Sequence, residues 1–89
     1  MRSISRTSQF KKDVKKAEKR GKDLKKLRIV LDLLIDGKLL PDSLRDHALQ
    51  GEFKGSRDLH IEPDWLLIYT LEKDQLRLER TGTHADLFR

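Results

Sequence analysis

The sequence predicts an α+β domain in which an N-terminal strand and a helical hairpin pack on a small antiparallel sheet. Two periodicities carry this prediction: apolar residues recur at helical spacing in the first half of the chain and alternate with polar residues in the second. With 89 residues, the chain is predicted to be a single domain, residues 1–89, with one modest core. Since it contains no cysteine, it has neither a disulfide framework nor a thiolate metal site, which is consistent with a reducing compartment.

Two helices are predicted between residues 8 and 36. Thr7 or Ser8 can cap the first, which ends near Gly21. Asp23 can cap the second, which Gly37 ends. The apolar positions are Phe10, Val14 and Ala17 in the first helix and Leu24, Leu27, Val30, Leu31, Leu34 and Ile35 in the second. Because a short glycine turn joins them, the helices are expected to be antiparallel.

The strands are predicted around these helices in the order β, α, α, β, β, β. RSISRT, residues 2–7, is typical of an edge strand, and residues 58–62 alternate between polar and apolar side chains. Residues 65–71 are nearly all apolar, which indicates a central strand covered on both faces. Residues 73–75 are predicted to form a hairpin loop before the alternating segment 76–79.

The three histidines are the side chains best suited to proton transfer near neutral pH, because an unperturbed imidazole titrates near pH 6.5. His47 lies in residues 38–55, a segment with two glycines and one proline that is predicted to hold little regular structure. His60 lies in a strand, and His84 follows the last strand. Strand ends and their loops display functional groups on a rigid frame, so the three residues are candidates for one site.

Strand alternation places His60 on the same face as Asp58 and Glu62, away from the core. A structural interpretation stays open, in which His60 and Glu62 form an ordinary polar pair and Trp65 is a core or rim residue. The three histidines with Asp64 could also bind zinc. However, the histidines lack the close spacing within one segment that metal sites often show, so no metal is expected.

Positive charge is concentrated in the first half of the chain. Residues 1–40 carry 13 Lys or Arg and 5 Asp or Glu, whereas residues 41–89 carry 7 and 10. Such a surface attracts a polyanion or an acidic protein, although solvated helix faces would show the same pattern. The N-terminus lacks the apolar stretch of a signal peptide, and no segment has the length of a membrane span. We therefore expect a soluble, cytoplasmic protein without a membrane partner.

Two motifs resemble those of a known family. The run DHALQGEFKGSRDLHIEPDWLLIYTLE and the later LRLERTGTHADLF are similar to the YafQ branch of the RelE superfamily of toxins from bacterial toxin–antitoxin pairs. That branch carries DHxLxGxWKGxRDxHxxPDWLLIY and RTGTHxxLF, and FKKDVKK at residues 10–16 also has a counterpart there. Phe53 stands where the pattern usually has Trp. The resemblance implies a RelE-like fold and a ribosome-dependent endoribonuclease that cuts mRNA in the A site without a metal or cofactor.

Carried onto this sequence, the resemblance places the catalytic set on His47, His60, Asp64 and His84. His84 is expected to be the general acid, His60 or Asp64 the base, and His47 the group that orients the phosphate. The residues expected to contact RNA are Trp65 and Phe88, together with Lys54, Arg57 and Arg80 as phosphate contacts. The residues expected to dock on ribosomal RNA are Lys11, Lys12, Lys15, Lys16, Lys19, Lys22, Lys25 and Lys26.

The resemblance also implies the partners, which are the 70S ribosome with its mRNA and a cognate antitoxin. The antitoxin is expected to wrap an acidic segment over the basic surface and to dimerise on DNA, giving a plausible assembly of two toxins with two antitoxins. Two alternatives remain. A ParE-like toxin would bind gyrase without being an enzyme, although such toxins generally lack the histidines, and a plain nucleic-acid-binding module would need only the basic helices.

Overall fold

A mixed five-stranded sheet supports two long helices on one of its faces. The computed structural model describes residues 2–88. Its elements are β1 (Ser3–Arg6), α1 (Ser8–Lys19), α2 (Leu24–Ile35), β2 (His47–Ala48), β3 (Arg57–Glu62), β4 (Trp65–Glu72), β5 (Gln75–Gly82) and α3 (His84–Leu87). The strand order is β1-β5-β4-β3-β2. The predicted α+β class, the N-terminal edge strand and the helical pair are confirmed.

Three details of the predicted topology are wrong. The sheet is not wholly antiparallel, because β1 runs parallel to β5. No hairpin joins these two strands, so nothing in the connection requires them to be antiparallel. Residues 38–55 are more regular than predicted, since they contain β2 and the 3-10 turns Asp42–Leu44 and Gly51–Phe53. The last strand continues to Gly82, beyond its predicted end, and is followed by α3, a helix that was not predicted from the sequence.

Local capping determines where the helices start and stop. The Thr7 hydroxyl accepts a hydrogen bond from the Phe10 N–H at 2.9 Å, and Asp23 accepts one from the Lys25 N–H at 3.0 Å. These contacts satisfy N–H groups that a helix leaves without an internal partner at its first turn. Gly37, with φ of 67°, takes the left-handed conformation that ends α2. The predicted helix boundaries are therefore confirmed.

Strand β4 is the centre of the molecule, as its apolar sequence predicts. Trp65, Leu67 and Tyr69 are buried against α1 and α2. Leu66 and Ile68 are buried on the opposite face with Leu87 of α3. Burial of each large apolar side chain stabilises the fold by about 1.5–3 kcal/mol. Both faces of β4 are thus held in place, and its neighbours β3 and β5 become a rigid frame.

A register shift in β3 separates two residues that alternation would put on one face. His60 pairs with Leu66 and lies on the face that carries α3, whereas the register shifts between His60 and Glu62. Glu62 turns instead towards the start of α2, where its carboxylate accepts hydrogen bonds from Lys22, in the preceding turn, at 3.0 Å and from Lys26 of α2 at 2.9 Å. The predicted shared face of His60 and Glu62 is therefore wrong. None of the helices within residues 2–88 is long and apolar enough to cross a membrane.

Candidate active site

Three separate segments bring the histidines to one face of the sheet. Strand β2 pairs with β3 so that His47 lies opposite Asp58, while His60 projects from β3 two residues further on. His84 is the first residue of α3, and its ring centroid lies 5.5 Å from that of His60. His47 Nε2 lies 3.0 Å from Asp58 Oδ1, which is ion-pair distance, although Oδ1 is not aligned for a hydrogen bond. The structure thus places all three histidines around one carboxylate.

Asp58 is that carboxylate, and it is not among the site residues predicted from the sequence. It is only 3% exposed. Burial raises the pKa of Asp58, and the nearby rings of His47, His60 and His84 partly offset this effect by favouring its charged form. The available signal was strand alternation, because residues two apart in a strand share a face. Asp58 therefore links His60 of its own strand electrostatically to the two histidines from other segments.

Asp64 fixes the orientation of His84. Its Oδ1 accepts hydrogen bonds from the His84 backbone N–H at 2.9 Å and from the ring Nδ1 at 2.7 Å. The pKa of Asp64 is lowered mainly by the backbone hydrogen bond and secondly by the hydrogen bond from the ring. The residue is therefore a carboxylate at neutral pH. With Nδ1 as the donor to Asp64, Nε2 of His84 is left free to face a substrate. The contact therefore holds one ring nitrogen and presents the other.

His60 has a different environment from His84. Burial lowers the pKa of His60 because it disfavours the imidazolium, and Asp58 opposes this effect only in part. Its Nδ1 is enclosed and has no hydrogen-bond partner among the described residues. The ring is therefore neutral at physiological pH, which is the state required of a proton acceptor.

A cleft of about 310 Å³ opens beside His60 and includes Arg45 and Pro63 in its wall. Arg45 has a φ of 50°, an uncommon value for a residue other than glycine. Its carbonyl lies 2.9 Å from His47 Nδ1, so this turn also orients His47. Nothing in the sequence distinguished Arg45 from the other basic residues. The structure adds it to the site as a guanidinium beside the cleft.

Arg57 does not join this cluster. It lies on the helix-facing side of the sheet, where Nε is 3.3 Å from both carboxylate oxygens of Asp46. The Tyr69 hydroxyl donates to the same carboxylate at 2.6 Å, and burial raises the pKa of that tyrosine. The expected phosphate contact is not supported, because Arg57 is held by Asp46, the residue that precedes His47. Its position instead suits a structural support for β2.

Arg80 and Trp65 are also structural in this fold. Arg80 bonds the buried Asp13 of α1 through Nε at 2.9 Å and Nη2 at 3.0 Å. Trp65 is 1% exposed, and its Nε1–H donates to the Thr81 hydroxyl at 3.0 Å. Lys22 lies 5.8 Å from the Trp65 ring centroid. The expected RNA contacts of Arg80 and Trp65 are not supported, because both side chains are committed to interactions with the helices and the core.

Phe88 remains next to the histidines. It is 38% exposed, its ring centroid is 6.5 Å from that of His84, and it packs edge to face on Phe53 at 5.7 Å. Phe53 therefore supports Phe88 although it stands where the family pattern has Trp. Lys54 is exposed in the adjoining turn, with no described contact to the histidines. Phe88 is thus the one aromatic ring of the proposed RNA contacts that a base could stack on.

The eight lysines of the basic block fall into two groups. Lys16 pairs with Asp86 at 3.4 Å, while Lys22 and Lys26 pair with Glu62. No ion pair is found between residues 2 and 88 for the other five, and all of them are exposed. These five are Lys11, Lys12, Lys15, Lys19 and Lys25.

Comparison with known proteins gives the same family as the motifs. Residues 2–89 match the family model described as the bacterial toxin YafQ of a type II toxin–antitoxin system. The chain belongs to the YafQ toxin family. An mRNA interferase toxin YafQ from Escherichia coli K12 is 56% identical over 88 residues, which cover 98% of this chain and 96% of the relative. The expected membership is confirmed, and the match argues against a ParE-like toxin.

Solved structures of similar chains share the fold closely. The E. coli DinJ-YafQ complex matches with a TM-score of 0.93 and 53% identity over 100% of both chains. A metal-bound toxin from Helicobacter pylori matches with a TM-score of 0.92 and 39% identity, covering 99% of this chain and 100% of that one. In this YafQ-family chain, no three His, Asp or Glu side chains of residues 2–88 are arranged to hold one metal ion.

Proposed function

We propose that this YafQ-family toxin is an endoribonuclease that cleaves mRNA in the ribosomal A site by acid–base catalysis without a metal. The observation that carries the proposal is the arrangement of His60 and His84, whose rings are 5.5 Å apart and have different environments. RNA cleavage by internal attack needs one group to accept a proton and another to donate one. The similarity to an E. coli mRNA interferase supports RNA as the substrate.

In the proposed reaction, His60 accepts the proton of the ribose 2′-hydroxyl as this oxygen attacks the adjacent phosphorus. The bond from phosphorus to the 5′-oxygen then breaks, and His84 Nε2 donates a proton to the leaving oxygen. The products are a 2′,3′-cyclic phosphate and a 5′-hydroxyl end. Asp64, which the sequence left as an alternative base, is better suited to orienting His84, since its lowered pKa makes it a weak proton acceptor.

The phosphate that develops charge needs donors and positive charge nearby. Nδ1 of His47 lies 2.9 Å from the Arg45 carbonyl and Nε2 lies 3.0 Å from Asp58 Oδ1, so contacts on both sides orient the ring. We assign His47 to orienting the phosphate, with the Arg45 guanidinium as the positive charge beside it. Phe88 provides a stacking surface. Lys54 stays a candidate contact at the periphery, whereas Trp65, Arg57 and Arg80 are left out.

Five exposed lysines of α1 and the first turn of α2, for which no ion pair is found within residues 2–88, support docking on ribosomal RNA. Each phosphate neutralised by a lysine releases counterions, which makes such binding depend steeply on salt. Reversing the charge of Lys11, Lys12, Lys15 and Lys19 to Glu is expected to abolish stable association with 70S ribosomes. Lys38→Glu with Lys73→Glu is the control. Equal binding by the two variants in moderate salt would refute the assignment.

An antitoxin is the second proposed partner, supported by the DinJ-YafQ complex of the E. coli relative. An acidic segment would complement the same lysines, and two toxins would assemble with two antitoxins. The proposed action on ribosomes implies a cytoplasmic location. The mass of the co-purified complex by light scattering measures the stoichiometry, and a 1:1 particle would refute the proposed assembly.

The decisive experiment incubates the purified protein with programmed ribosomes and mRNA. The wild type is expected to produce 2′,3′-cyclic phosphate ends, whereas His60→Ala and His84→Ala are expected to lose cleavage. Asp32→Asn, which alters an exposed carboxylate on α2, is the control for purification and folding. An mRNA with one 2′-deoxyribose at the cleaved position should resist cleavage, because the attacking hydroxyl is absent. Cleavage of that mRNA would refute internal attack.

A chelator tests the metal-free part of the proposal, which the metal-bound H. pylori relative makes necessary. The toxin is treated with EDTA and then freed of the chelator before it meets the ribosomes, so that ribosomal Mg²⁺ is preserved. Unchanged cleavage is expected. Cleavage that disappears and returns on addition of Zn²⁺ or Cu²⁺ would refute metal independence while leaving the nuclease assignment intact.

A further inference from the structure

Helix α3 is too small to hold His84 in place by itself. It contains one turn, residues His84–Leu87, and Leu87 is its one buried residue. An isolated turn of helix has no stability of its own, because nucleation costs more than a single hydrogen bond returns. The position of the His84 ring must therefore depend on contacts between α3 and the rest of the chain.

Asp86 makes such contacts with α1. Its Oδ2 accepts hydrogen bonds from Arg20 Nη1 at 2.7 Å and from the Thr83 N–H at 3.0 Å. Its Oδ1 lies 3.4 Å from both Arg20 Nη2 and Lys16 Nζ. Two hydrogen bonds hold the pKa of Asp86 well below its usual range: the one from Arg20 has the larger effect and the one from the Thr83 N–H the next. The carboxylate is therefore charged at neutral pH.

The backbone at Gly82 is shaped to receive this carboxylate. A Cβ atom at Gly82 would lie 3.0 Å from Asp86 Oδ2 and 3.1 Å from Asp86 Cβ, closer than side chains normally approach. Gly82 does not have a positive φ, so the lack of a side chain here serves this close approach and not an unusual backbone conformation. The end of β5 thus leaves room for Asp86 in one position.

We propose that Asp86 is a positioning residue: with Arg20 and Lys16 it fastens α3 to α1 and so sets the place where His84 meets Asp64 and His60. The inference rests on the proposed role of His84 in cleavage. It also connects two parts of the proposed function, since Lys16 lies in the lysine-rich helix α1, Arg20 caps the end of that helix, and His84 belongs to the catalytic cluster. Neither the motifs nor the charge pattern assigned a role to Asp86.

The expected changes in stability and in rate distinguish a positioning role of Asp86 from a purely stabilising one. The side chains of Lys16 and Arg20 are 56% and 41% exposed, and ion pairs this exposed to solvent contribute little to the free energy of folding. Loss of the pairs should therefore change the melting temperature little. A displacement of a catalytic group by about 1 Å, in contrast, costs up to about a hundredfold in rate. The activity should fall much further than the stability.

Two substitutions with opposite effects on net charge test the proposal. Asp86→Asn keeps an oxygen that can accept from the Thr83 N–H but loses the attraction to Arg20, while Arg20→Gln removes the main cation. Both are expected to lower kcat by about tenfold or more with KM nearly unchanged. Electrostatic docking on RNA cannot produce this result, because the two variants change the net charge in opposite directions.

Gly82→Ala adds a third perturbation, which displaces Asp86 without altering any charge, and should lower kcat in the same way. Arg20→Lys, which retains one positive charge, should recover part of the activity lost in Arg20→Gln. The matched controls are Asp32→Asn and Arg28→Gln, both exposed on α2 and both expected to keep the wild-type kcat. A kcat within twofold of wild type in both Asp86→Asn and Arg20→Gln would overturn the proposal.

An NMR measurement tests positioning independently of nuclease activity. The wild type should show a cross-relaxation contact between the His60 and His84 rings and slow hydrogen exchange at the His84 amide that donates to Asp64. Both signals should weaken in Asp86→Asn and Arg20→Gln, while the amides of β4 stay protected. Unchanged signals would overturn the proposal even if kcat fell. If the wild type failed to cleave mRNA, the proposed function would fail, and the NMR result would still decide the role of Asp86.

Discussion

Trp65→Phe is the substitution that best separates a core role from an RNA-binding role. The Trp65 ring is 1% exposed and donates a 3.0 Å hydrogen bond to the Thr81 hydroxyl. We expect the variant to lose stability and to keep its rate of cleavage. A stacking platform for RNA would behave in the opposite way, losing activity while the melting temperature hardly changed.

The expected loss of stability follows from two contributions. The buried hydrogen bond to Thr81 contributes about 1 kcal/mol. The smaller phenyl ring removes apolar atoms equivalent to about two methylene groups, at about 0.8 kcal/mol each. The sum is about 2.5 kcal/mol, which for a domain of this size lowers the melting temperature by roughly 10 to 20 °C.

The assay combines thermal unfolding followed by circular dichroism with cleavage of mRNA on ribosomes at a temperature where both proteins are folded. Phe88→Leu is the matched control, because this aromatic ring is exposed beside His84. It should reduce cleavage while shifting the melting temperature only slightly. Unchanged stability in Trp65→Phe together with a tenfold loss of cleavage would refute the assignment of Trp65 to the core.

Three further predictions concern charged groups. Asp58→Asn should stabilise the protein, because the buried charge of Asp58 opposes folding. The increase in the free energy of unfolding should be absent below about pH 4 and should grow as the pH rises through the raised pKa of Asp58. The rate of mRNA cleavage should fall in the same variant. Urea unfolding measures this free energy, and an increase relative to wild type that appeared only at low pH would contradict the prediction. In a plot of kcat/KM against pH, the decrease on the acid side should have its midpoint below pH 6.5, because the pKa of His60 is lowered and the base must be neutral. A midpoint above pH 6.5, or an acid-side decrease that persists in His60→Gln, would contradict the assignment of His60 as the base. Asp13→Ala should lower the free energy of unfolding by about 3 kcal/mol, since it leaves Arg80 and the Thr81 N–H without their acceptor; a loss below about 1 kcal/mol would show that water replaces the pair.

The helices and the central strand could be predicted because their signals are local. Thr7 and Asp23 cap helices through N–H groups two or three residues away, and the apolar run beginning at Trp65 can only be buried. Local signals also placed His60 in a strand, His47 in the loop before that strand, and His84 just after the last strand. The prediction that the protein is a nuclease came from the resemblance to a family, because the sequence spacing of the three histidines does not by itself indicate nuclease activity.

Partners that are distant in the sequence decided the roles of the charged and aromatic side chains. Arg80 meets Asp13, 67 residues away, and Arg57 meets Asp46 on the face opposite the histidines. Arginine is the residue type expected to contact phosphate, but each of these two side chains is paired with a carboxylate of the same chain. Strand alternation placed Asp58 on the face of His60, but only the pairing of β2 with β3 brings His47 to the same carboxylate.

The sequence by itself determined the α+β class, the ends of the two long helices, the buried central strand and the family of this chain. It did so because hydrophobic periodicity, helix caps and motif spacing are properties of neighbouring residues. Only the tertiary structure decided that β1 is parallel to β5, that Glu62 faces α2, and that Asp86 ties His84 to the basic helix. These outcomes depend on register and on close approach between distant segments, where a shift of one residue reverses the face on which a side chain lies.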